Sequence, residues 1–179
     1  MPTLTTIHDS SVPTAPANLV TGSNLRAATA HFPTGVAVVS TTNPIDEPVG
    51  CTVSSFLPVS LEPPIIAVSL AHTSSTLSHL RGARRFAISV LSSQQSALAH
   101  IFADREVSHV DRFRSVHWHL GTTGVPVIAT ALSTLECEVH QIIGTGDHAL
   151  VLGSVTSLFV SGQGAPLVHH QGSIKKLQR

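Results

Sequence analysis

The apolar run Val49–Val53 ends in small hydroxyl residues, Thr52, Ser54 and Ser55, followed by Phe56. Where a strand gives way to such residues, backbone N–H groups and hydroxyls can hold a polar ligand while an aromatic or apolar wall covers it. By residue type this is a cofactor edge. A second group, Thr73, Ser74 and Ser75, precedes Leu77 and Leu80 and can cap a short helix. Unpaired N–H groups at a helix start, with hydroxyls beside them, suit an anion, while ordinary capping explains the same residues. The third group is the adjacent pair Asp147 and His148 in a Gly-Thr-Gly-Asp turn. A histidine, with an unperturbed pKa of about 6.5, can sense or stabilise added negative charge. Equally, Asp147 can satisfy turn N–H groups while His148 simply opens a strand.

The elements that position these groups are mostly strands. Val36–Ser40 and Val49–Val53 are β-type runs joined by a Pro- and Asp-containing hairpin connection, with a third short strand after them. Glu62-Pro63-Pro64 interrupts the sheet before Ile65–Leu70. Arg85–Leu91 follows, then a helix over Gln94–Ala103 capped by Ser92 or Ser93. In the His-rich excursion Asp104–Leu120, Phe113 and Trp118 are expected to pin the loop to the core. Leu132–Ile143 and Ala149–Val160 form a second ribbon, with Leu135, Cys137 and Val139 on one face and Glu136, Glu138 and His140 on the other. A turn at Gly162-Gln163-Gly164 leads to closing strands at Leu167–His170 and Ser173–Leu177. Ser23 or Asn24 is expected to cap a helix through His31, ended by Pro33, after a Thr/Ser/Pro-rich N-terminal arm at 1–22. One domain, 23–179, mainly β with few short helices and hairpin connections, reads as an antiparallel barrel.

Composition narrows the function. Charged residues are 11% against roughly 25% in ordinary soluble domains, so a buried oligomer interface is expected. Ten basic and ten acidic residues, without large basic clusters, argue against nucleic acid as a partner. No apolar run reaches the ~18 residues of a membrane span, and the start of the chain lacks a signal peptide's pattern, so no membrane partner and a cytoplasmic location are expected. Cys51 and Cys137 lie in β-patterned runs as free thiols. Twelve histidines include no HExxH pattern and no zinc-like spacing, so no metal site is assigned, although His117/His119 and His169/His170 could bind metal incidentally. No GxGxxG follows a strand, which argues against a Rossmann cofactor domain.

The strings FPTGVAVVS, PVG-x-TV-x-SF-x-x-VSL-x-PP, SL-x-x-x-SSTL, RFAISVL, DRF-x-x-V-x-W, LECEV, GDH and HHQG occur in order between His31 and Gly172. In that order and spacing the chain resembles the flavin reductase family with the FMN-binding split-barrel fold, the small partners of two-component monooxygenases. The resemblance implies a Greek-key split barrel, FMN or FAD as flavin, and NADH or NADPH as hydride donor. It implies flavin along Thr34, Gly35 and Val36 and along Thr52, Val53, Ser54, Ser55 and Phe56. Further contacts are implied at Ser69 and Leu70, at the phosphate-side loop Thr73, Ser74, Ser75 and Thr76, and at Arg85 and Phe86. His148 and Asp147 become the catalytic pair facing the ring or the nicotinamide, and His169, His170, Gln171 and Gly172 match a nicotinamide-holding region. A homodimer with flavin near its interface and a flavin-dependent monooxygenase as recipient are implied as well.

The chain departs from the family where many members carry arginine. His72 and Ser75 stand in the loop after Ser-Leu-Ala, and Gln171 stands in the C-terminal region. Ser54 replaces an asparagine, Ile174 replaces an aromatic, and the chain has no tyrosine. Serine and neutral histidine contact phosphate more weakly than a bidentate guanidinium, so weaker cofactor binding is expected. Two alternatives follow from these losses: a split barrel repurposed for a small organic substrate, with flavin kept or lost, or a non-catalytic flavin-binding module.

Overall fold

A computed structural model describes residues 20–161 and 164–177. Of the predicted arm, residues 1–19 lie outside the described residues, as do residues 162–163 of the expected Gly162-Gln163-Gly164 turn. The chain runs through α1 (Gly22–Thr29), β1 (Thr34–Gly35), β2 (Ala37–Thr42), β3 (Pro48–Val53), β4 (Leu57–Leu61), β5 (Pro64–Ala71) and α2 (Ser75–Ala83). It continues through β6 (Arg85–Val90), α3 (Ser96–Ala103), α4 (His109–Arg114), β7 (Trp118–Leu120) and β8 (Pro126–Ile128). The ribbon β9 (Ser133–Thr145) and β10 (His148–Val160) and the hairpin β11 (Leu167–His170) and β12 (Ser173–Lys176) complete it.

Every residue of β2 is buried, so alternation along it serves two cores at once. Ala37 and Val39 point into a cluster with Val68, Phe86, Val151 and the α2 residues Leu77 and Leu80. Val38 points the other way, to Ala99 and Phe102 of α3 and Phe113 of α4. Phe113 is the hub there, edge-on to Phe102 at 5.0 Å and to Trp118 at 5.6 Å, so both aromatics of the excursion anchor it as expected.

The main sheet is antiparallel, in the order β3-β2-β6-β9-β10-β5-β4. β3 and β4 are therefore opposite edges, although only Ser54, Ser55 and Phe56 separate them in the chain. Three residues can make that step only because the sheet curls until its edges approach. The Ser55 hydroxyl pins the approach, donating to the Ser69 carbonyl on β5 at 2.8 Å and accepting from the Ser69 N–H at 3.2 Å. Curling is assisted at Gly153 on β10, beside a register shift, where a Cβ would stand 2.5 Å from Phe86 Cζ. β1, β11 and β12 form a second sheet, joined to the first through Val36, Leu91 and Leu167, whose backbones hydrogen-bond in a ring.

Two sequence expectations change. Thr21, not Ser23 or Asn24, caps α1, and Asn24 closes the reciprocal bond to the Thr21 N–H, so the helix starts at Gly22, within the predicted arm, and ends at Thr29. α3 starts at Ser96 without a side-chain cap, because the Gln95 carboxamide turns back to accept from the Ser92 N–H at 2.8 Å. Glu136 lies on the face of β9 opposite Cys137 and Val139, as expected, but unlike Glu138 and His140 on that face it is only 6% exposed. The loop before β8 folds over it, and its carboxylate accepts from the N–H and hydroxyl of both Thr122 and Thr123.

Candidate functional site

The gap between the two edges of the curled sheet is a cavity of about 520 Å³, with Thr52 and Val53 of β3 on one side and Ser69 and Leu70 of β5 on the other. Ser54 and Ser55 cross its floor, and Thr73, Ser74, Ser75 and Thr76 close one end. His148 stands at the start of β10, beside Ala71, on the same cavity. Strand order alone thus gathers groups up to ninety-six positions apart in sequence. A second cavity, about 530 Å³, lies across the same strand segment, sharing Thr52, Val53 and Ser54 with the first and adding Val36, His169 and Gly172.

Several hydroxyls of the first cavity are already used. Thr52 donates to the Ala99 carbonyl at 2.7 Å and so ties α3 to β3. Ser74 is the α2 cap, accepting from the Leu77 N–H, and Ser75 bonds the Nε2 of His109 at 2.8 Å. Thr76, 1% exposed, turns its hydroxyl to the Cys51 thiol, whose pKa it helps to lower against the effect of burial. Ser74 thus fulfils the capping reading of this loop.

Asp147 and His148 do pair. The two-residue turn Gly146-Asp147, with Gly146 at φ 57°, brings Asp147 Oδ1 to 2.7 Å from His148 Nδ1. The hydrogen bond from His148, and then its charge, hold the Asp147 carboxyl below its ordinary range. Because Nδ1 is engaged, Nε2 is the ring nitrogen left for the cavity.

Eight of the sequence-assigned residues line neither cavity. Thr34 and Gly35 pair with β11, and the Thr34 hydroxyl is buried without a partner. Phe56 packs on the core. Phe86 is wholly buried against Gly153 and Cys137, which corrects its assignment as a ligand contact: both faces of β6 are covered. Arg85 is exposed at the start of that strand, paired with Glu138. Asp147 is solvent-facing behind His148, and His170 Nδ1 lies 3.5 Å from Lys175 Nζ. Gln171 turns away to α1, donating its N–H to the Ala30 carbonyl at 2.9 Å and placing its amide 3.3 Å from His31 Nδ1.

Other residues line the cavities without having been assigned a site role from the sequence, Ile174 having been noted only as a departure from the family. Cys51, Phe102, Arg105 and Arg112 line the first cavity, and His100, Ser173 and Ile174 the second. Arg112 is 7% exposed and donates Nη1 to the Gly50 carbonyl at 2.7 Å and Nη2 to the Asp104 carbonyl. Burial lowers its pKa, and burial followed by the charge of Arg112 lowers that of His109. A signal existed in the spacing: His109 and Arg112 fall three apart on α4, on one helical face.

A cavity of this size, lined by serine and threonine hydroxyls with Arg105, Arg112 and His148 and without Asp or Glu, fits an elongated ligand with an anionic group. Residues 29–178 match the model of the flavin reductase like domain. A probable flavin reductase of Rhizobium meliloti is 41% identical over 77% of this chain and 43% of its own. The reductase component of a flavin-dependent trigonelline monooxygenase of Acinetobacter baylyi is 36% identical over 83% of this chain and 47% of its own. The chain thus spans less than half the length of these two relatives. The crystal structure of a Streptomyces globisporus NADH:FAD oxidoreductase in complex with NAD and FAD fragments superposes with a TM-score of 0.82 at 34% identity, covering 90% of this chain and 98% of that one. The curled sheet with adjacent edges is the split barrel that the sequence implied, and the chain belongs to the flavin reductase-like domain family.

Proposed function

We propose that the chain is an NAD(P)H-dependent flavin reductase that reduces FMN or FAD and passes it to a partner monooxygenase. The observation that carries this reading is the pair of cavities meeting along Thr52–Ser54, which lets two extended cofactors lie against one strand. A bound flavin would supply the hydride acceptor and a bound nicotinamide the donor. The chain's own contribution is then positioning. Thr52 and Ser55 spend their hydroxyls fixing the shared wall, and Asp147 holds the His148 ring so that Nε2 can meet negative charge.

A homodimer in the cytoplasm completes the reading. Leu25 and Phe32 around α1, together with Leu158, Phe159 and Val160 at the end of β10, are exposed apolar groups of the kind that an interface covers. The two unpaired cysteines suit a reducing compartment. Light scattering at micromolar concentration should give twice the chain mass.

The decisive experiment is anaerobic stopped-flow absorbance with FMN or FAD against NADH or NADPH. Bleaching well above the protein-free rate is expected. Replacing His148 with alanine should slow single-turnover reduction roughly tenfold, equivalent to about 1.4 kcal/mol of barrier. An unchanged rate rejects that role for the imidazole. The repurposed-barrel alternative draws support from the second cavity, whose described lining contains no lysine or arginine to hold a nucleotide. It predicts no acceleration by the folded protein with any cofactor pair.

A further inference from the structure

The two cavities share Thr52, Val53 and Ser54 of the wall already described, and they share one residue more, Ala103. Ala103 ends α3, and the residues around it divide between the two spaces: Phe102 lines only the first cavity, Ala99 and His100 only the second. Ala103 therefore stands at the crest between them. It is held there from both sides. The Thr52 hydroxyl donates to the Ala99 carbonyl, one turn back, at 2.7 Å, and Arg112 donates to the carbonyl of Asp104, the next residue. Core packing does not call for an alanine at this point: Ala103 is exposed, whereas Ala99 is sealed at 0% exposure in the cluster with Phe102 and Phe113. A longer side chain in its place would reach into the space common to both cavities.

Resting on the flavin reading above, we propose that Ala103 keeps the passage between the two cavities open, so that flavin and nicotinamide nucleotide can occupy them at the same time. Hydride transfer needs donor and acceptor atoms about 3 to 3.5 Å apart, and a misplacement of about 1 Å can cost 10²-fold in rate. A larger side chain at the crest can swing into whichever cavity is empty, so each ligand alone still finds room. With both present it has nowhere to go. The size of this one residue thus governs the pair rather than either partner.

The test is a fluorescence titration of FMN and of FAD, with and without saturating NAD+ or NADP+, which cannot reduce them. The proteins are the wild type, Ala103→Leu, Ala103→Val and Ala97→Leu, the last an exposed α3 position that lines neither cavity. In the wild type and Ala97→Leu the nucleotide should leave the flavin Kd unchanged. In Ala103→Leu flavin alone should bind as it does to the wild type, but the nucleotide should weaken it about tenfold, and flavin should weaken the nucleotide by the same factor, as linkage requires. Anaerobic reduction by NADH or NADPH should fall about 100-fold in the same variant. Weaker flavin binding to Ala103→Leu without nucleotide, or flavin affinity indifferent to nucleotide, overturns the proposal and leaves the flavin reading standing. If Ala103→Leu does not fold, Ala103→Val decides by the same titrations, with a smaller factor in the same direction. If the wild type reduces neither flavin with either nucleotide, the flavin reading falls and takes this proposal with it.

Discussion

Glu136 and Arg112 are both charged side chains almost removed from water, at 6% and 7% exposure, and the chain completes them differently. Glu136 receives four hydrogen bonds from two consecutive threonines and is satisfied within its own fold. Arg112 is left with a buried donor unmet, in a cavity with no acidic lining. A closed carboxylate nest serves stability, whereas the guanidinium keeps one donor unspent. Burial does not distinguish the two roles, and the count of partners does.

The largest effect should come from the closed site. Glu136→Ala strands two backbone N–H groups and should cost about 3 kcal/mol in denaturant unfolding near neutral pH. Burial alone would raise the Glu136 pKa, but the bonds from Thr123 and Thr122 outweigh it and set it below the ordinary value. A depressed carboxyl contributes stability above its unfolded pKa of about 4.3 and loses it as pH falls through the folded value. The gap between wild type and variant should therefore close on acidification.

Arg112→Met should cost the free protein less, about 1 to 2 kcal/mol, because two carbonyls lose donors while a buried charge is also relieved. The contrast sharpens with ligand. At FMN one hundred times its Kd the wild type should gain about 2.7 kcal/mol, and the variant clearly less at the same concentration. Equal gains would place Arg112 with Glu136 as a purely structural charge.

The smallest effect is a rate of modification. Burial, and then the Glu136 carboxylate, push the Cys137 thiol up to about 12, so it should resist alkylation until the protein unfolds. Burial also raises the Cys51 pKa, but this thiol lines the first cavity and is half-buried. It should react slowly, and FMN should protect it, as read by peptide mass.

The strands were legible because apolar runs and turn residues act locally, and the His148–Asp147 pair because its partners are neighbours. The burial of Glu136 was not legible because strand alternation indicates a face and not what folds over that face, which here is the Thr122–Thr123 loop. Phe86 entered the reading through the family resemblance, and motif order does not tell a residue that faces a cavity from one sealed in a strand covered on both sides. The cavity-lining residues from Thr52 to Thr76 were named through motif order, whereas Arg112, although it lies in the quoted DRF string, was not singled out because its place is set by the distant Gly50 and Asp104 carbonyls.

α1 closes its own capping box yet buries none of its residues, and its far end is held by the Gln171 backbone. Such a helix can open without uncovering the core, at a free energy well below that of global unfolding. Its amides would then exchange with solvent as a separate unit. The residue that tethers it sits in the turn beside Gly172 and Ser173, so fraying at the amino end and slackness at the mouth of the second cavity become one event.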